Sequence, residues 1–185
     1  MKYVGSKNRI SKDIVSFIQK CIDDNNVTEY YDLFCGGCNI IDKIKCENKY
    51  ANDSNCYLIE FWEQLKNGWN PFKDTTMTKS LYDDIRNNPD HYDKHIVALA
   101  GLCATYNAKW FGGYAGIIHT KIGIERNYYG EAVRNVLNQI SKLKDVIFTC
   151  DDYSVYLPKN AVIYCDPPYE GTLGYKDKFN HSRIS

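Results

Sequence analysis

The apolar positions of the chain follow two rhythms, one helical and one of short unbroken runs. Ile14, Phe17, Ile18, Cys21 and Ile22 recur at helical spacing after a polar, glycine-punctuated opening, with Ser11 placed as the N-cap. Residues 29–34 then read as a first strand, Cys35-Gly36-Gly37-Cys38 as a tight turn, and 39–44 as the helix it leads into. A second strand is expected over 49–53, with a helix over 56–65 behind it. Ala132, Val133, Val136, Leu137, Ile140 and Leu143 form one face of a helix over 127–144, and 146–150 predicts a third strand. The last run, 161–165, is β-branched and bounded by Pro158 before it and two prolines after it, which predicts a fully buried strand.

Alternating strands and helices of this kind predict an α/β domain around a mainly parallel, Rossmann-like sheet. Between 69 and 127 the alternation is lost. A short helix is expected around Leu81-Tyr82-Asp83-Asp84-Ile85, followed by an apolar stretch over 96–102 and an aromatic, glycine-rich segment over 106–114. The sequence therefore divides into a sheet domain made of 1–68 and 128–185 and an inserted helical, loop-rich lobe over 69–127.

Composition narrows the class without naming a function. A chain of 185 residues with 44% apolar and 25% charged positions can bury a core of its own. Lys plus Arg total 23 and so do Asp plus Glu, so any surface for nucleic acid must be a local patch. No apolar run is long enough to cross a bilayer and the amino terminus lacks the apolar core of a signal peptide, which predicts a cytoplasmic protein with no membrane partner. In that compartment the eight cysteines are expected to be reduced. Cys35 and Cys38 form a C-x-x-C, but no second pair stands at zinc-ribbon spacing, so no metal is expected; a zinc or thiol-redox module remains the alternative class.

In open parallel sheets ligands bind at the carboxyl ends of the strands, and this chain places acids there. Asp53 ends the second predicted strand, Asp151-Asp152-Tyr153 follow the third, and Asp166-Pro167-Pro168-Tyr169 follow the last. The two prolines fix the backbone, so the carbonyl of Pro167 points in a set direction beside the Asp166 carboxylate. Two such acceptors gripping the N–H bonds of a planar ring amine favour a more tetrahedral nitrogen and free its lone pair for attack. Tyr169 would stack on the ring, which must leave its duplex to be reached. Taken alone, the tetrapeptide fits an ordinary Asp-Pro turn equally well.

Together with Tyr3-Val4-Gly5-Ser6-Lys7, Phe34-Cys35-Gly36-Gly37 and Asp53-Ser54-Asn55, the tetrapeptide resembles, in order and over nearly the whole chain, the Dam-type (D12 class) DNA adenine-N6 methyltransferases. The resemblance implies S-adenosylmethionine as cofactor and double-stranded DNA as partner. It implies that Tyr3 packs on the cofactor, that Lys7 reaches its carboxylate, that Phe34 and Gly36 form the glycine turn, that Asp53 takes the ribose hydroxyls, and that Asp152 and Tyr153 hold the adenine, with Asp151 as the alternative acid and a simple strand-end cap as the plain reading of this segment. The resemblance also implies that Asp166 adjoins the cofactor as well as the target amine. Cys38 departs from the family pattern, standing where its last glycine is expected. The lobe over 69–127 matches the position of the target-recognition insertion, with Lys109, Lys121 and Arg126 as candidate DNA contacts.

Members of that family continue beyond the catalytic tetrad with further helices and strands. The expectation is therefore a sheet lacking its C-terminal part, with an open edge at the last strand that a second chain could complete. A shortened relative that binds cofactor or DNA without turnover, or a methyltransferase acting on an amine of RNA or protein, are the competing readings.

Overall fold

The computed structural model describes residues 1–119, 123 and 125–168. Its centre is a four-stranded sheet of β1 (Glu29–Asp32), β2 (Asn48–Asn52), β5 (Val146–Thr149) and β6 (Val162–Tyr164), in the order β5-β2-β1-β6 with every pair parallel. The order reverses between β1 and β6. That reversal opens a crevice at the carboxyl ends of the two strands, where ligands of such sheets bind. A two-stranded antiparallel ribbon, β3 (Ile117–His119) with β4 (Glu125–Asn127), lies outside it.

Three long helices cover one face of the sheet. Helix α1 (Ser11–Asn25) supplies Ile18 and Ile22 to the core, α2 (Cys56–Lys66) supplies Leu58, Phe61, Trp62 and Leu65, and α6 (Tyr128–Ile140) supplies Val133 and Val136. They meet Tyr30, Ala51, Val146 and Phe148, the buried positions of three strands. Trp62 stacks parallel to Phe148, with ring centroids 6.4 Å apart. The segment from 69 to 127 contains α3 (Pro71–Asp74), α4 (Lys79–Asn87) and α5 (Lys94–Ala98), the last continuing into a π-helical turn at Leu99–Cys103. Its buried Tyr82, Ile85 and Val97 belong to the same cluster as Phe61 and Trp62, so it shares the core of the sheet domain.

Several expectations need correction. Ser11 is not an N-cap: it is the first residue of α1, and its hydroxyl donates to Asn8 O instead of accepting an amide. The helix expected over 39–44 shrinks to a single 3₁₀ turn at Ile41–Lys43, with four residues between its end and the start of β2. The last strand is not fully buried. Across the register, Ile147, Tyr50, Tyr31 and Ile163 form one row on the face opposite the helices. Ile147 is 46% and Ile163 41% exposed. Periodicity identified an apolar strand without revealing that Ile163 faces the more open side of the sheet. Finally, Cys56 and Cys150 form a disulfide rather than remaining reduced. The start of α2 and the end of β5 converge at the same sheet edge, with Cα atoms 5.3 Å apart.

Candidate active site

The crevice between β1 and β6 is bounded by the glycine turn after β1, the acid after β2 and the Asp-Pro-Pro segment after β6. Gly36 sits at φ +45°, and a Cβ there would lie 2.8 Å from Tyr3 Cδ1, so only glycine lets the ring rest on the turn. The turn's carbonyls are held from behind. Trp62 Nε1 donates to Gly36 O at 3.1 Å, and Gln139 Nε2 donates to Gly37 O and Cys38 O at 3.0 Å each. Cys38 takes a left-handed φ of +54°, a conformation that favours glycine, while fully buried.

The amino-terminal segment is laid across this turn by Asn39, whose Nδ2 donates to Met1 O at 2.8 Å and Ser6 Oγ at 2.9 Å. The Met1 ammonium donates to Asn39 Oδ1 at 3.2 Å and to Gln139 Oε1. Tyr3 thereby packs on Gly36, and Lys7 reaches the far wall. Lys7 Nζ lies 2.8 Å from Asp166 Oδ1 and 2.6 Å from Oδ2.

Asp53 joins two walls. Its Oδ2 accepts Gly36 N at 3.0 Å, and its Oδ1 accepts Asn55 N at 3.0 Å, while Asn55 caps α2 by accepting Tyr57 N. Buried Asn52 pins the strand ends, donating to Leu33 O at 3.2 Å and Asp151 O at 3.0 Å and accepting Asp151 N at 3.0 Å.

Asp32 is a site residue that motif reading passed over. It ends β1, is 2% exposed, and lines the cleft with Oδ1 lacking a hydrogen-bond partner among the described residues. Burial, and then the nearby Asp53 carboxylate, push its carboxyl up to about 8. Its signal was the alternation of β1, which turns every second residue inward. Gln139 and Asn39 were also missed, and neither stands in a recognisable motif.

The structure brings Tyr3, Lys7, Phe34, Gly36, Asp53, Asp166 and Pro168 to one cleft. Tyr153 adjoins it through Phe34, their ring centroids 5.3 Å apart, whereas Asp152 is outside its lining and caps the next turn by accepting Ser154 N at 2.9 Å. Pro167 follows Asp166 but is not itself part of the cleft lining. Lys109 and Arg126 lie on the surface of the 69–127 segment. The Arg126 guanidinium is engaged by Glu131 at 2.8 and 2.9 Å. Tyr169 and Lys121 lie outside the described residues. Cys35 and Cys38 are buried, and burial pushes both thiols above their ordinary range, which does not suit thiol exchange. Among the described residues no three His, Cys, Asp or Glu side chains are grouped to hold a metal.

A parallel sheet whose crevice joins a glycine turn to an Asp-Pro-Pro segment has the architecture of an amino-group methyltransferase. The chain belongs to the D12 class N6 adenine-specific DNA methyltransferase family, whose sequence pattern matches residues 3–181. It is 24% identical over 204 residues to the type II methyltransferase M.FokI of Planomicrobium okeanokoites, covering 96% of this chain and 31% of that protein. To the modification methylase StsI of Streptococcus sanguinis it is 24% identical over 216 residues, covering all of this chain and 32% of that one. To the type II methyltransferase M.MjaIII of Methanocaldococcus jannaschii it is 23% identical, covering 92% of this chain and 68% of that one. The chain thus spans about a third of the length of the first two relatives.

Proposed function

We propose that the chain carries the catalytic site of a site-specific DNA methyltransferase that moves a methyl group from S-adenosylmethionine to N6 of adenine. The observation that supports this most directly is the shared cleft of Gly36, Asp53 and Asp166. Its chemistry suits that cofactor. Tyr3 and Phe34 offer aromatic surfaces, Asp53 an acceptor for ribose hydroxyls and Lys7 a cation for a carboxylate. Asp32 adds a buried oxygen without a hydrogen-bond partner among the described residues. When bound, S-adenosylmethionine supplies a methyl group activated by its sulfonium.

The remaining work falls to the protein. Asp166 and the Pro167 carbonyl accept the two N–H bonds of the target amine and direct its lone pair into the cleft. Tyr169 stacks on the extruded base. Once the new N–C bond has formed, the nitrogen carries one proton too many, and Asp166 is the acceptor already in contact with it. The 69–127 lobe supplies target recognition, with Lys109, Lys121 and Arg126 as phosphate contacts.

Expression in cells lacking adenine methylation, followed by digestion of their DNA with methylation-sensitive nucleases, tests this reading. Protection at a defined sequence supports it, and DNA cut to completion at every site opposes it. A second reading assigns turnover only to a complex with further polypeptide. The exposure of Ile147 and Ile163 on the face opposite the helices favours it, since parallel sheets are ordinarily covered on both faces.

A further inference from the structure

Lys7 has two claimants. Its ammonium engages both oxygens of Asp166, at 2.8 and 2.6 Å, with the two side chains only 17% and 19% exposed. Among the described residues that line the cleft, Lys7 is the only cationic side chain, whereas Asp32, Asp53 and Asp166 are all acids. A ligand bringing its own carboxylate into this cleft must therefore draw on the same ammonium that now neutralises Asp166. The lysine stands in the turn-rich segment before α1, two residues after Gly5 at φ +74°, and its Nζ also donates to Gly5 O at 3.2 Å. A long side chain on such a segment can change partner without moving a packed element.

We propose that Lys7 is a positioning residue that couples the two substrates: it masks Asp166 until the carboxylate of the cofactor takes the lysine away, and only then does Asp166 become an acceptor for the target amine. This rests on the proposed function above and adds an order to it. Before the cofactor enters, both acceptor oxygens face a cation, and an adenine amine arriving there meets three competing N–H donors. After Lys7 turns to the cofactor carboxylate, Asp166 is left in a sheltered cleft beside two other acids. Loss of this ion pair at a sheltered carboxylate is costly, and the amine's N–H bonds relieve that cost. Cofactor binding thereby strengthens the hold on the extruded adenine, and by linkage the adenine strengthens the hold on the cofactor.

The test compares two adenosine compounds in the wild-type protein. S-adenosylhomocysteine carries the amino-acid carboxylate and 5′-methylthioadenosine lacks it. Affinity for a fluorescent duplex of randomised sequence containing mismatched adenines, which cost less to extrude, is read by anisotropy with each compound at saturation. S-adenosylhomocysteine is expected to tighten DNA binding about tenfold, within the usual range of coupling, and 5′-methylthioadenosine by less than about twofold. Lys7→Met abolishes the enhancement while calorimetry still detects S-adenosylhomocysteine, and Lys7→Arg restores part of it. Equal tightening by the two compounds, or full tightening in a folded Lys7→Met, overturns the coupling and leaves the proposed function standing. Failure of the wild type to bind S-adenosylhomocysteine overturns both.

Discussion

The backbone N–H of Gly36 donates to Asp53 Oδ2 at 3.0 Å, across 17 residues of sequence. The glycine turn and the acid after β2 therefore form one wall. Asp53→Ala removes the acceptor for both Gly36 N and Asn55 N, leaving two donors of the wall without it. The expected cost is about 1–3 kcal/mol in stability, read by denaturant unfolding, with a loss of S-adenosylmethionine affinity by calorimetry. Unchanged cofactor affinity in a folded Asp53→Ala would remove this residue from the site.

Cys38 reverses the usual ranking of alanine and glycine. Its φ of +54° is a conformation that costs a residue with a Cβ about 1–2 kcal/mol. Both Cys38→Ala and Cys38→Gly lose the buried sulfur, but only glycine also loses the backbone strain. Cys38→Gly should unfold at a higher temperature than Cys38→Ala. The opposite order would mean that the turn is unstrained.

Gly36→Ala should fail for a different reason. Its added methyl would lie 2.8 Å from the Tyr3 ring and occupy a left-handed backbone. Loss of cofactor binding is expected, and Tyr3→Ala in the same chain should recover part of the stability by opening the space. No recovery would assign the whole effect to backbone strain.

Asp32 makes stability depend on pH. Its native carboxyl titrates near 8 because of burial and the adjoining acids, well above its value in an unfolded chain. The native state therefore holds this proton more tightly than the unfolded one, and its contribution is fully present below about pH 4 and is lost as pH rises to about 8. Asp32→Asn, which cannot ionise, should flatten this part of the profile. Denaturant unfolding at pH 5, 6.5 and 8 checks it, and identical profiles for both proteins would contradict the assignment.

The disulfide between Cys56 and Cys150 closes a separation of 94 residues. Its reduction should lower the unfolding free energy by about 2–4 kcal/mol. A thiol count should rise from six to eight on reduction. Eight thiols in the untreated protein would contradict the bond.

The carboxyl-end acids were legible because their chemistry is local. Asp53 stands at the end of one predicted strand and Asp166 follows the apolar run 161–165, and parallel pairing brings all such ends to one edge. Glycines and prolines marked the turns by backbone demands that hold whatever packs nearby. Gln139 was not legible, since its hold on Gly37 and Cys38 depends on how α6 lies against a turn about a hundred residues away. The same is true of Lys7, whose partner in the structure is 159 residues distant. The exposure of Ile163 was hidden because an apolar strand reads alike whether one or both of its faces are covered.

The central claim is that Asp166 holds the amine that receives the methyl group. Its most direct measurement is transfer of tritiated methyl from S-adenosylmethionine to mixed-sequence DNA by the wild type and by Asp166→Ala, with the labelled nucleoside identified. The account predicts label on N6-methyladenine with the wild type. Asp166→Ala should reduce it at least a hundredfold, on the order of a lost transition-state contact, while still binding S-adenosylhomocysteine. Label elsewhere, or undiminished transfer by Asp166→Ala, would contradict it.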